Sequence, residues 1–157
     1  MKILLLKVGK TSDEWLREGV GHYYRRVKHY LPFETKIIPD IRNARKMTPE
    51  ILKQMEGELI LKAVEKRDRL VLLDEKGKLF SSREFAGFIE KQMVGGLHRL
   101  VFVIGGAWGF SDAVYERADL KISLSPMTFS HQLVRLIFAE QLYRALSILN
   151  NEPYHHD

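Results

Sequence analysis

Five short segments along the chain have the apolar patterning of strands, and the residues between them recur with helical spacing. KILLLKV (Lys2 to Val8), RLVLLD (Arg69 to Asp74) and RLVFVI (Arg99 to Ile104) are near-continuous apolar runs, as in strands covered on both faces. FETKII (Phe33 to Ile38) and LKISLS (Leu120 to Ser125) read as two further strands. Thr11 and Glu14 have the spacing of a capping box, which predicts a helix from there to about Tyr30. Trp15, Leu16, Gly19, Tyr23 and Val27 fall close to one face of it, and Pro32 stops it. Thr48 before Pro49 opens a second helix, to about Lys66. Gly77 marks a turn, and Ser81 with Glu84 opens a third helix that ends at Gly95 and Gly96. A short helical piece spans about Ser111 to Arg117, and the last helix fills Ser130 to Leu149. Strands alternating with helices predict an α/β domain: a mainly parallel five-stranded sheet with helices on both faces.

At 157 residues, one domain accounts for the whole chain, residues 1–157. No cysteine is present, which excludes disulfides and thiolate metal sites and makes the cytoplasm the expected compartment. The longest apolar run near the N-terminus is too short for a signal-peptide core or a membrane span. A formal net charge of +5 favours an anionic partner, with nucleic acid first among them. The basic residues concentrate at Arg25, Arg26, Lys28, Lys36, Arg42, Arg45 and Lys46, interleaved with Tyr23, Tyr24, Tyr30 and Phe33. Phosphate contacts with base stacking on exposed rings is one reading of this stretch. A solvated helix face with core tyrosines is the other.

In open α/β sheets a ligand sits outside the carboxyl ends of the strands. Leu73 and Asp74 end the third predicted strand, GGAWG (Gly105 to Gly109) follows the fourth, and LSPMTFSH (Leu124 to His131) follows the fifth. Paired glycines there permit either close approach of a ligand to the backbone or a tight turn. Neither a dinucleotide fingerprint nor a phosphate-binding P-loop occurs, which disfavours dinucleotides and nucleoside triphosphates. Backbone groups of LSPMTF, with Leu124, Met127 and Phe129, suit an adenosine-like body.

The last helix is apolar nearly all round, so it must be covered on most sides. A second subunit is one way to cover it and a sandwiched position inside one domain is the other. Glu140, Arg144 and Ser147 share a polar stripe on this helix. Glu140 and Arg144 are also an i, i+4 pair of favourable polarity. NNEPYHHD (Asn150 to Asp157) then places a tyrosine and two histidines after a stiff Pro153, groups able to stack and to carry protons. Either this tail packs on the body, or it belongs to a catalytic site.

FVIGGAWGFSD, ISLSPMTFSHQLVRLIFAEQLYRA and PYHH, in this order and spacing, resemble the bacterial ribosomal large-subunit pseudouridine N3-methyltransferase family. That family is a minimal member of the SPOUT, or trefoil-knotted, methyltransferases, and the resemblance covers nearly the whole chain. It implies a homodimer that uses S-adenosylmethionine to methylate N3 of a pseudouridine in 23S rRNA, with no metal and no membrane. It also implies a knot in the C-terminal third, which connection rules treat as a rare exception. Carried over by position, the donor site comprises Leu73, Gly105, Leu124, Ser125, Pro126, Met127, Thr128 and Phe129. Position 126 is Pro where many members have Lys or Ala, and His156 stands where many end on a basic residue. The implied catalytic groups are His155, Tyr154 and Arg144, with His155 or bulk water as acceptor of the imide proton. A catalytically silent RNA-binding module of the same fold is the alternative.

Overall fold

The computed structural model describes residues 1–157. Its five strands, β1 (Lys2–Val8), β2 (Phe33–Ile38), β3 (Arg69–Leu79), β4 (Arg99–Ile104) and β5 (Leu120–Ser123), form one sheet in the order β2-β1-β4-β3-β5. Every pairing is parallel. Successive side chains of a strand point to opposite faces, so the apolar runs feed two cores at once. Ile3, Leu5, Leu100, Phe102 and Ile104 face helices α1 (Glu14–Val27), α3 (Ser82–Val94) and α5 (Leu133–Leu149). Leu4, Leu6, Leu70, Leu72, Val101 and Val103 face α2 (Pro49–Ala63) and α4 (Asp112–Arg117). The helices lie on both faces, and no helix is long and apolar enough to cross a membrane.

The second and third helices start where their caps predict. The Thr48 hydroxyl accepts from Ile51 N, and Ser81 with Glu84 forms a complete capping box. The first does not. Asp13 is the N-cap of α1, while the Thr11 hydroxyl accepts a bond from Arg135. The helix ends at Val27, and residues 28–30 continue as turns. Trp15, expected on the inward face, is 59% exposed. The last helix begins at Leu133, because Ser130 turns its hydroxyl to cap Leu133 N.

β3 runs on well past Asp74. After an irregularity between Leu73 and Lys78 it returns to pair Lys78 and Leu79 with β5. Gly77 permits this, since a Cβ there would lie 2.6 Å from backbone atoms of Lys121 and Ile122. β5 stops at Ser123, because the Ser123 hydroxyl turns to donate to the Ser125 carbonyl.

α5 lies between α1 and α3, so much of its apolar circumference is covered within the chain. Phe138, Leu142, Ala145 and Leu146 are fully buried there. Ser147, expected on a polar stripe, is also buried and donates to the Arg144 carbonyl. What remains on the outer side is a half-buried line of Ile137, Glu140, Arg144 and Ile148, with Leu133 exposed at its start.

Two cations are buried near the C-terminal end of β1. Arg135 is wholly buried, and Lys7 is 6% exposed with its ammonium over the Tyr24 ring. Burial, and then the Arg135 charge, lower the Lys7 pKa from 10.5 to about 8. Between these values the unfolded chain holds a proton that the folded chain has released, so stability rises with pH across that window. Lys7→Met is expected to abolish the rise and to stabilise the neutral-pH protein by up to about 3 kcal/mol. Urea melts at pH 8 and pH 10.5, the limits of that window, measure the rise, and a melt at neutral pH measures the stabilisation. Wild-type midpoints that do not move would contradict the assignment.

Candidate active site

A cavity of about 720 Å³ opens at the carboxyl ends of β3, β4 and β5. That lies inside the range of about 300–1,000 Å³ typical of small-molecule sites. Its apolar wall is Leu73, Ile104, Ile122, Leu124, Met127, Phe129 and Val134, and its polar rim includes Asp74, Glu75 and Thr128. Of the eight positions expected to hold the donor, Leu73, Gly105, Leu124, Ser125, Met127, Thr128 and Phe129 all line it. Pro126 does not; it is exposed at the outer turn of the loop.

The loop after β5 is shaped by its own serines. Ser123 Oγ donates to the Ser125 carbonyl at 2.8 Å, and Ser125 Oγ accepts from Met127 N at 2.9 Å. Thr128 Oγ1 donates to Glu75 at 2.9 Å, which ties this loop to the irregular part of β3. Across the cavity, Asp74 accepts from the Tyr115 hydroxyl and from Lys76 N. Burial and the Asp74 hydrogen bond raise the Tyr115 pKa, so that hydroxyl remains a donor. A slot with apolar walls and acids at its rim suits a planar heterocycle attached to a cationic arm.

The paired glycines have a structural reason. A Cβ on Gly105 would lie 3.0 Å from the Phe110 ring, and one on Gly106 would lie 3.0 Å from the Glu56 carboxylate. Gly105 therefore lets Phe110 close the floor of the cavity.

Arg144, Tyr154 and His155 are brought together, but away from the cavity, whose lining includes none of them. Arg144 forms an ion pair with Glu140 and stacks 4.8 Å from the Tyr154 ring centroid. The Tyr154 hydroxyl donates to Glu140 Oε1 at 3.0 Å, and its ring meets that of Tyr143 edge-on at 4.6 Å. Burial first, then hydrogen bonding to Tyr23 and Glu140, raise the Tyr154 pKa, which keeps it a phenol. Arg144 Nη1 lies 3.2 Å from His155 Nδ1, and His155 Nε2 lies 2.9 Å from Asp157 Oδ1. A guanidinium can only donate, so Nδ1 is the acceptor and Nε2 carries the proton to Asp157. Arg83 clamps Asp157 with bonds of 2.7 and 2.8 Å, and this contact, ahead of that with His155, lowers the Asp157 pKa to about 2. Arg83 carried no signal in the sequence, because an arginine in the first turn of an exposed helix reads as surface.

The aromatic residues of the basic stretch are not free platforms. Phe33 is buried against Tyr24, and Tyr23 and Tyr30 pack on Tyr143. The Tyr30 hydroxyl also donates to Glu152 at 2.5 Å. The cations themselves, Arg25, Arg26, Lys28, Lys36, Arg42, Arg45 and Lys46, are all exposed.

The fold is a parallel α/β sheet with a cavity at the strand ends and a separate tail that carries Tyr154 and His155. Residues 1–155 match the family model described as predicted SPOUT methyltransferase, and the chain belongs to that family. It is 56% identical over 157 residues, 100% of both chains, to the ribosomal RNA large subunit methyltransferase H of Parabacteroides distasonis. It is 55% identical to the protein of the same name from Christiangramia forsetii, over 99% of each chain. Among solved structures, a probable methyltransferase from Bordetella pertussis matches with a TM-score of 0.55 at 14% identity, over 92% of this chain and 96% of that one. A probable methylase family protein from Haemophilus influenzae matches with a TM-score of 0.54 at 12% identity, over 99% and 70%. Those two likenesses support the fold.

Proposed function

We propose that this protein is a homodimeric methyltransferase that uses S-adenosylmethionine to methylate N3 of a pseudouridine in 23S rRNA of the large ribosomal subunit. The observation that carries this reading is the division of labour in the chain: a donor-shaped cavity in one place, and the Arg144, Tyr154 and His155 cluster in another. The full-length relatives bearing the rRNA methyltransferase name support the choice of substrate.

S-adenosylmethionine, when bound, supplies an electrophilic methyl group on a sulfonium. Leu124, Met127 and Phe129 would exclude water around it, while Asp74 and Glu75 at the rim complement its positive charge. Arg144 would bind a phosphate or a charged uracil carbonyl. If it turns to the substrate it leaves His155 Nδ1 free. Tyr154 would orient the base through its ring. Since one chain keeps this cluster outside its own cavity, the tail of one subunit serves the cavity of the other. The exposed cations from Arg25 to Lys46 would contact phosphates.

The outer line of α5 is the surface that a second copy would cover. Leu142 and Leu146 belong to the core, so charging them tests folding rather than association. Ile137→Glu places the charge on the outer line instead. It is expected to convert dimer to monomer in light scattering at micromolar concentration, with little change in unfolding midpoint. A wild-type monomer under the same conditions would exclude the dimer.

The function itself is tested by incubating the protein with isotopically labelled donor and ribosomes from a strain lacking the modification, then mapping the labelled base by mass spectrometry. Label on N3 of one pseudouridine in 23S rRNA is the expected result. Ribosome binding without transfer would instead identify a silent RNA-binding module.

A further inference from the structure

His131 lines the donor cavity and is the only imidazole that does so. It is half-buried at the end of the loop after β5, two residues before α5 begins. Burial and charges act on its ring, and no hydrogen bond from the chain does. His155 differs, since Arg144 engages its Nδ1 and Asp157 its Nε2. The acids of the rim are also engaged: Asp74 by Tyr115 and Lys76, and Glu75 by Thr128.

Arg135 stands behind His131. It is fully buried and has no carboxylate partner; Nε donates to the His131 carbonyl at 3.1 Å, Nη1 to the Gly9 carbonyl at 2.9 Å and Nη2 to the Val8 carbonyl at 2.6 Å. A buried cation whose hydrogen bonds go only to neutral carbonyls and the Thr11 hydroxyl projects positive potential onto its neighbours. Asp40, from the loop after β2, is the opposing charge. Burial first, then Arg135, hold the imidazole below its ordinary pKa in spite of Asp40. The ring is therefore neutral at physiological pH and keeps one unprotonated nitrogen.

We propose that His131 is the proton acceptor of the methyl transfer, with Arg135 as the residue that positions it. This rests on the methyltransferase reading above. The N3–H bond of pseudouridine breaks and its proton passes to the imidazole. The electron pair left on N3 forms the new N–CH3 bond, and the pair of the S–CH3 bond stays on the donor sulfur as a neutral thioether. The imidazolium then returns its proton to solvent. Arg144 and Tyr154 from the partner orient the base in this scheme, which frees the tail from having to supply a lone pair.

Three measurements on the full-length protein test it. His131→Gln should lose ~100 to 10000-fold in single-turnover methylation of ribosomes at saturating S-adenosylmethionine, where any change in donor affinity no longer limits the rate. His131→Ala should behave likewise and regain rate when free imidazole is added, which a packing role would not produce. NMR titration of the His131 ring in wild-type protein, without donor or RNA, should give a midpoint below about 6.5. A full methylation rate for His131→Gln, or for His131→Ala without imidazole, would overturn the inference while leaving the methyltransferase reading intact. A midpoint at or above the ordinary value would overturn it too. A wild-type protein that binds donor but methylates no ribosomal RNA would overturn the methyltransferase reading, and this inference with it.

Discussion

Deleting residues 153–157 is expected to cut single-turnover methylation by ~100 to 10000-fold, the range for losing positioned groups at a reacting centre. Donor affinity should stay within a few-fold of wild type, because no residue of that segment lines the cavity. The fold should survive as well. Tyr154 packs its ring on Tyr143 at the edge of one core and, with His155, makes polar contacts to Glu140 and Arg144 of α5, while the fully buried residues of both cores all lie outside the deleted segment. Binding intact with transfer lost would mark the segment as part of the reacting site. Calorimetry and quench-flow on the same preparation measure the two properties. A truncated protein that methylates at the wild-type rate would show that the segment only packs on the body.

Arg135→Met is expected to destabilise the protein by about 3 kcal/mol or more, since unsatisfied buried polar groups cost about 1–3 kcal/mol each. The substitution keeps most of the side-chain volume but strips donors from the carbonyls of Val8, Gly9 and His131 and from the Thr11 hydroxyl. Part of the loss is offset because a costly buried charge is also removed. The functional effect follows from the same bonds. They fasten the start of α5 and the loop before it to the end of β1, and His131 and Val134 in that region line the cavity. Donor affinity should therefore fall at least tenfold where the variant remains folded. Urea unfolding within about 0.5 kcal/mol of wild type, the scatter of ordinary surface substitutions, would show that Arg135 is not a staple.

The elements of the fold were legible because their signals are local. Apolar runs marked the strands, and Thr48 and Ser81 marked two helix starts. The errors arose where a distant partner overrides the local signal. Thr11 resembles a cap, but its hydroxyl is taken by Arg135, 124 residues away. Gly77 read as a turn after a strand ending at Asp74, yet it lets the strand continue against β5. The cavity lining was readable because one loop contributes most of it in sequence, and of the positions the resemblance pointed to only Pro126 falls outside it. Arg135 was not readable, since one arginine in an apolar helix gives no sign that three backbone carbonyls wait for it. Tyr24 and Phe33 show the converse: aromatic residues within a basic stretch look like stacking platforms, and burial makes them core. The separation of tail and cavity has no sequence signal, because it depends on how the whole chain folds.

That separation makes the shared site the central claim, and mixed dimers test it most directly. One subunit lacks residues 153–157 and keeps its cavity; the other carries Gly105→Val, which drives a branched side chain into Phe110 and spoils the cavity, but keeps its tail. Each homodimer alone should be inactive. Co-refolding the two in equal amounts should restore about a quarter of the wild-type methylation rate, since half of the dimers are mixed and each has one complete site. A mixture as inactive as its two parents, with mixed dimers shown to be present by mass spectrometry, would contradict a site completed by the partner.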